Sequence, residues 1–132
     1  MRMRWIVAAA GIIAAAGGAI APARRPSLVS LSRIQPGEWQ FREIGGEAKT
    51  TVCVADPRML IQLNHMRAQC SRFVVEDQPK SATVHYTCPG AGHGRTVISV
   101  ESGHLIKLRT KGIADGAPFD TDYEGRRLGP CR

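Results

Sequence analysis

The side chains able to do chemistry are scattered along this sequence rather than gathered. His65, His85, His93 and His104 are its four histidines. None stands in an H-x-H, H-E-x-x-H or His–Cys spacing, so they do not read as metal ligands. Asp120 and Asp122 lie two residues apart and could form a carboxylate pair for acid–base work. A general acid must hold its proton near neutral pH, and the strand register derived below sets both opposite cations, which keeps carboxyls ionised. No serine sits in a G-x-S-x-G elbow. The run Pro89-Gly90-Ala91-Gly92-His93-Gly94 is rich in glycine. It lacks the Lys-Ser/Thr pair and the following helix of a phosphate loop, and reads as a connector. The expectation is a protein that is not an enzyme, with no catalytic residue, metal or cofactor.

The remaining reactive groups are Cys53, Cys70, Cys88 and Cys131. No C-x-x-C pair exists to hold zinc. An even count reads as two disulfides, which persist in an oxidising compartment. The start of the chain agrees with that compartment. Met1-Arg2-Met3-Arg4 is basic, and the 17 residues from Trp5 to Ala21 carry no charge. Ala21-Pro22-Ala23 places small residues before a cut at Arg24. Residues 1–23 therefore read as a cleaved signal peptide, and the protein as periplasmic. The rival is an uncleaved anchor, but the apolar run falls short of the roughly 20 residues of a spanning helix.

The whole chain has 132 residues and a net charge of +7. That length holds one domain. Residues 24–36 are rich in Arg, Ser and Pro and read as a linker, which leaves 37–132 as a single disulfide-stapled β domain.

Turn chemistry divides that domain into strands. Glu38–Ile44 and Glu47–Val54 fold about Gly45-Gly46, a primed-turn pair, setting Trp39 opposite Val52 and Phe41 opposite Thr50. Asp56-Pro57 opens a helix: Asp is a good N-cap, and Pro suits the first helical position. Met59, Leu60, Leu63 and Met66 then share a face at the α-helical period. A second hairpin, Cys70–Glu76 with Ala82–Cys88, sets Cys70 opposite Cys88, Val74 opposite Val84 and Arg72 opposite Tyr86. Arg95–Val100 and His104–Gly112 pair across Glu101-Ser102-Gly103, placing Thr96, Ile98, Val100, His104, Ile106 and Leu108 on one face. Asp115-Gly116 is a strong type I′ signal. It pairs Lys111 with Asp120, Arg109 with Asp122 and Lys107 with Glu124 on one face. On the other it pairs Gly112 with Phe119, Leu108 with Tyr123 and Ile106 with Gly125.

The expected fold is mainly β: a curved antiparallel up-and-down sheet of about seven strands with one short helix, a lipocalin-like partial barrel. The helix carries the chain back along the sheet, which favours the pairs Cys70–Cys88 and Cys53–Cys131. The rival connectivity is Cys53–Cys70 with Cys88–Cys131.

Several residues also carry a family resemblance. Gly37-Glu38-Trp39, the run Cys53-Val54-Ala55-Asp56-Pro57, Cys70, Thr87-Cys88-Pro89-Gly90 and the ending Gly125-Arg126-Arg127-Leu128-Gly129-Pro130-Cys131 resemble the bacterial exported family known as domain of unknown function 3617. The likeness spans about residues 37–131. Many members carry Thr-Pro after the first cysteine, where this chain has Val54-Ala55-Asp56-Pro57. The resemblance implies a small Gram-negative envelope protein and transfers no catalytic residue. The G-x-W start is also similar to the lipocalin opening.

Two functions follow as expectations. One is a non-catalytic periplasmic binding module whose interior holds a small apolar molecule against Trp39, Phe41, Ile98, Leu108 and Tyr123, with Val74 and Val84 nearby. The other is an interaction protein whose basic surface meets an anionic envelope component. Lys107, Arg109 and Lys111 form a cationic ridge, but Asp120, Asp122 and Glu124 oppose it, so nucleic acid is not an expected partner. A monomer is expected. A cavity in the interior would favour the first function and a packed interior the second. Intact-mass measurement of the protein from a periplasmic extract is expected to show loss of residues 1–23; a full-length species held in the inner membrane would overturn the cleavage site.

Overall fold

The computed structural model describes residues 17–21 and 27–132. The signal expected over 1–23 therefore lies mostly outside the described residues. Seven strands follow: β1 (Gly37–Glu43), β2 (Lys49–Val54), β3 (Ser71–Asp77), β4 (Ser81–Cys88), β5 (Gly92–Ser102), β6 (Leu105–Ala114) and β7 (Ala117–Gly129). They form one antiparallel sheet in the order β2-β1-β7-β6-β5-β4-β3. Strands β2 and β3 are its free edges, so the sheet is open. This corrects the lipocalin-like partial barrel expected from the sequence.

The reason lies in what covers the apolar face. Trp39, Phe41, Val84, Tyr86, Ile98, Val100, Ile106 and Leu108 are almost wholly buried. A barrel would bury them by curling the sheet on itself. Here a second layer does so, made by the crossover helix Pro57–His65 and by the strap of residues 27–36. Leu60 and Ile61 come from the first; Leu28, Leu31 and Ile34 come from the second.

The strap lies where the sequence reads as a linker. From Leu28 onward it is packed rather than free, so the core begins nine residues before Gly37. Leu28 has a positive φ of 50°, a conformation L residues seldom adopt. The Asp77 carboxylate holds it by accepting from the backbone N–H groups of both Leu28 and Val29, at 3.0 Å each. A 3₁₀ turn over Leu31–Arg33 follows. The Trp39 indole N–H then donates to Gln35 O at 2.9 Å, satisfying the one polar group of a buried ring.

Strand pairing follows the turn chemistry closely. The β1–β2 and β6–β7 registers hold residue by residue, including Trp39 opposite Val52 and Leu108 opposite Tyr123; the β3–β4 register holds from Ser71 to Val74, which faces Val84, and a bulge then shifts Glu76 opposite Thr83. Asp115 and Gly116 both have positive φ, 49° and 81°, as a type I′ turn requires. At the β5–β6 turn a bulge between Val100 and Ser102 sets Val100 opposite Ile106. His104 is therefore in the turn and exposed, not on the core face. Gly125 is needed for space: a Cβ there would lie 2.7 Å from the Phe41 ring and 2.9 Å from Ile106.

The crossover helix is 3₁₀ in type and is interrupted at Gln62. Asp56 caps it, accepting from the Arg58 N–H at 2.9 Å, and the Arg58 guanidinium holds its carboxyl below the usual Asp value. With about three residues per turn, the buried face becomes Leu60, Ile61, Gln62 and His65, and Met66 is left exposed. The α-helical face expected through Met66 is corrected accordingly. Two disulfides complete the domain, Cys53–Cys131 and Cys70–Cys88. The favoured connectivity is the one observed, and the clip of the helix by Cys53–Cys70 is not.

If the strap belongs to the core, Leu31→Ala should cost about 2–5 kcal/mol in urea unfolding, as truncation of a buried Leu does. The exposed Lys107→Ala should cost less than about 1 kcal/mol. Equal small losses would return the strap to the status of a linker.

Candidate functional site

The expected ligand-facing side chains are packed away. Trp39, Phe41, Ile98 and Leu108 are 0–1% exposed, and Tyr123 is partly buried against the same core. Leu108 and Tyr123 reach only a surface depression of about 220 Å³. The side chains expected to meet an apolar ligand instead meet Leu28, Leu31, Ile34, Leu60 and Ile61 of the same chain.

Beneath the crossover helix the buried polar groups partner one another, whereas the buried Ser30 hydroxyl in the strap has no partner. Ala91 O can only accept, so His65 Nε2 is the donor across 3.1 Å. Nδ1 is then an acceptor, and the Tyr86 hydroxyl donates to it at 2.9 Å. Burial pushes the Tyr86 phenol above its ordinary pKa. Thr96 donates to Ile61 O at 2.5 Å, which commits its one proton. Thr110 must then donate to Thr96 across 3.0 Å. These bonds anchor the crossover helix to β4 and β5, and each proton in them is already used. The set therefore reads as structural rather than reactive.

The other face of the sheet is open to solvent, and its charges are unevenly matched. The register sets Lys107 opposite Glu124, Arg109 opposite Asp122 and Lys111 opposite Asp120. The ion pairs do not follow that register throughout. Arg109 approaches both Asp122, at 3.4 Å, and Asp120, at 3.9 Å. Lys107 pairs with Glu101 at 3.3 Å, while Glu124 turns to Arg126 at 2.9 Å and Arg42 at 3.7 Å. Those two arginines hold the Glu124 carboxyl below its usual pKa, the Arg126 hydrogen bond contributing most.

Lys111 is thus left without a carboxylate within 4.0 Å among the described residues, and so is Arg95. These two stand directly opposite each other on β5 and β6, with His85 opposite Arg95 on β4. Like charges in such positions repel. A row of His85, Arg95 and Lys111 therefore crosses three adjacent strands, with Phe73 at its β3 end and Asp120 at its β7 end.

Two surface hollows adjoin the row. One, of about 430 Å³, is lined by His85, His93, Arg95, Lys111, Phe119 and Asp120; Gly94, Gly112 and Ile113 also border it. The other, of about 320 Å³, is lined by Arg95, Val97, Arg109 and Lys111. Arg95 and Lys111 belong to both. Gly94 stays small because of the core beneath: a Cβ there would lie 2.5 Å from the Tyr86 hydroxyl.

The sequence reading found Arg109 and Lys111 but weighed them only against the acids of β7. His85 and His93 were weighed only as metal ligands, and Arg95 was missed. The signal was the β4–β5 and β5–β6 register, which makes a cation of Arg95 the neighbour of Lys111. Among the described residues no group of three His, Cys, Asp or Glu side chains is placed to hold a metal ion. No described helix is long and apolar enough to cross a membrane. Comparison with family models, curated proteins and solved structures gives no match. The resemblance to family 3617 rests on the residues quoted for it.

Tyr86→Phe should leave His65 Nδ1 without its donor in the core and cost about 1–3 kcal/mol in urea unfolding. A loss within error would mean that the His65–Tyr86 bond does not hold the helix to the sheet.

Proposed function

We propose that this protein is a non-catalytic binding module that recognises an anionic group on the open face of its sheet. The observation that supports this reading is the juxtaposition of Arg95 and Lys111. Two cations directly opposed, neither with a carboxylate within 4.0 Å among the described residues, oppose folding, and a bound anion relieves that repulsion. Violations of local pairing rules of this kind gather at functional sites. Loss of residues 1–23 takes Arg2 and Arg4 from a net charge of +7, and the remaining +5 favours encounter with anionic partners. An arginine can grip a carboxylate or phosphate through two parallel hydrogen bonds.

The alternative, an apolar ligand in the interior, has less support because the chain's own side chains fill that space. The export signal read over residues 1–23, the four cysteines and the family resemblance support a periplasmic setting in a Gram-negative envelope. The anionic partner is then an envelope component, and the module acts as a monomer.

Citrate is a suitable first probe. Titration followed by backbone amide NMR should shift signals at His85, Arg95 and Lys111. Arg95→Ala should weaken binding by about tenfold, the loss of one charge-assisted hydrogen-bonded contact. Raising the salt concentration should weaken it further, because exposed charges are screened. Shifts confined to Arg126 and Arg127, or none, would overturn the reading.

A further inference from the structure

We propose that the anionic ligand is a saccharide chain bearing spaced carboxylates, laid across the two hollows that share Arg95 and Lys111. This rests on the anion-binding reading above. It adds the chemical class of the ligand and the way it lies.

The hollows, about 430 Å³ and 320 Å³, each fall within the range of small-ligand sites. A lone carboxylate or phosphate fills neither. Both are open, and Arg95 with Lys111 forms a common wall, so a chain can occupy one and continue into the other. The cations are spaced rather than clustered at one point. Arg95 and Lys111 are one strand apart, about 4.8 Å. Arg109, two residues along β6 from Lys111 and about 7 Å on, is held by Asp122 and Asp120. A chain with one acid per ring matches the two separate cations Arg95 and Lys111 better than a single multivalent ion does.

The rest of the lining suits hydroxyl groups. His85 and His93, when neutral, each offer one donor and one acceptor, the complement of a hydroxyl. Asp120 offers acceptors beside the cations. Gly94 and Gly112 contribute no side chain, and Ile113 supplies apolar surface; Phe119 borders the hollow from the core side, its ring 5.9 Å from that of His65. Bare peptide flanked by an apolar side chain is a surface on which the C–H face of a sugar can rest.

The same features disfavour a nucleic acid strand. That polymer carries a charge every 3.4 Å or so along each strand and binds by stacking successive bases on aromatic rings. Phe119 is the one aromatic ring lining the larger hollow. Asp120 and Asp122 would repel a dense row of phosphates, whereas a sparsely charged saccharide can turn a hydroxyl toward them.

Trigalacturonate tests the proposal by calorimetry, with galacturonate, methyl-esterified trigalacturonate, citrate and a single-stranded oligonucleotide as comparisons. Trigalacturonate should bind at least about tenfold tighter than galacturonate, since it reaches both hollows. The methyl ester should lose that gain. Arg95→Lys keeps the charge but not the paired donors, and should weaken trigalacturonate binding by about tenfold.

Asp120→Asn removes a negative charge beside both anions and keeps an acceptor oxygen, so citrate and trigalacturonate should both bind more tightly. Thermal melts establish that each variant is folded; both positions are exposed on strands. Citrate binding with trigalacturonate no tighter than its monomer overturns the saccharide while leaving the anion site intact. Weaker binding of both ligands to Asp120→Asn overturns the placing of the anion beside Asp120, and the saccharide with it. An oligonucleotide that binds more tightly than trigalacturonate overturns it in favour of nucleic acid. Binding of neither citrate nor trigalacturonate removes the anion site and the saccharide together.

Discussion

A single sheet with one apolar face must have that face covered, and the rest of this structure depends on how the cover is supplied. The sheet does not close on itself. Leu28, Leu31 and Ile34 of the strap and Leu60 and Ile61 of the crossover helix fill the space above Trp39, Ile98 and Leu108. Burying each such side chain contributes roughly 1.5–3 kcal/mol relative to leaving it exposed. The interior is thereby used up by the chain. The opposite face carries no such cover, and its side chains, Arg95, Arg109 and Lys111 among them, are exposed.

Holding the cover in place takes directional bonds as well as apolar contact. The strap is tied by Asp77 to β3 and by the Trp39 indole to Gln35 O. The crossover helix is tied through His65 to Tyr86 and through Ile61 O to Thr96. A buried donor or acceptor without a partner costs about 1–3 kcal/mol, so these bonds also reject other ways of laying the cover on the sheet. Gly94 links the two faces. Its missing side chain makes room for the Tyr86 hydroxyl in the core and leaves bare backbone at the edge of the 430 Å³ hollow.

Local chemistry was legible in the sequence where it acts within a few residues. Asp115-Gly116 dictated its turn, and with it the pairing of Leu108 with Tyr123 and of Lys111 with Asp120. Asp56-Pro57 marked the start of the helix. What could not be read was set by distant partners. Nothing near Leu28 or Leu31 says that they will be covered, because the residues between them look like a tether. Whether β2 meets β3 is a property of the whole sheet, so closure was misjudged. The helix face was misplaced because 3₁₀ and α geometry differ in phase by Met66. Arg95 was overlooked because its significance lies in a neighbour sixteen positions away, Lys111.

The strand order carries a consequence for how the chain comes together in time. Strands β3 to β7 pair in sequence, each with the one made just before it, so that part can form as the chain emerges. The first hairpin can pair within itself but cannot dock. Strand β1 docks on β7, whose last residue is Gly129, so β1 and β2 wait, half-covered, until nearly the whole chain is present. Such distant pairing is entropically slow. The cysteines follow the same timetable. Cys70 and Cys88, 18 residues apart, can join within one hairpin, whereas Cys53 must wait for Cys131, 78 residues later. The second bond is therefore a latch that can close correctly only on a finished sheet.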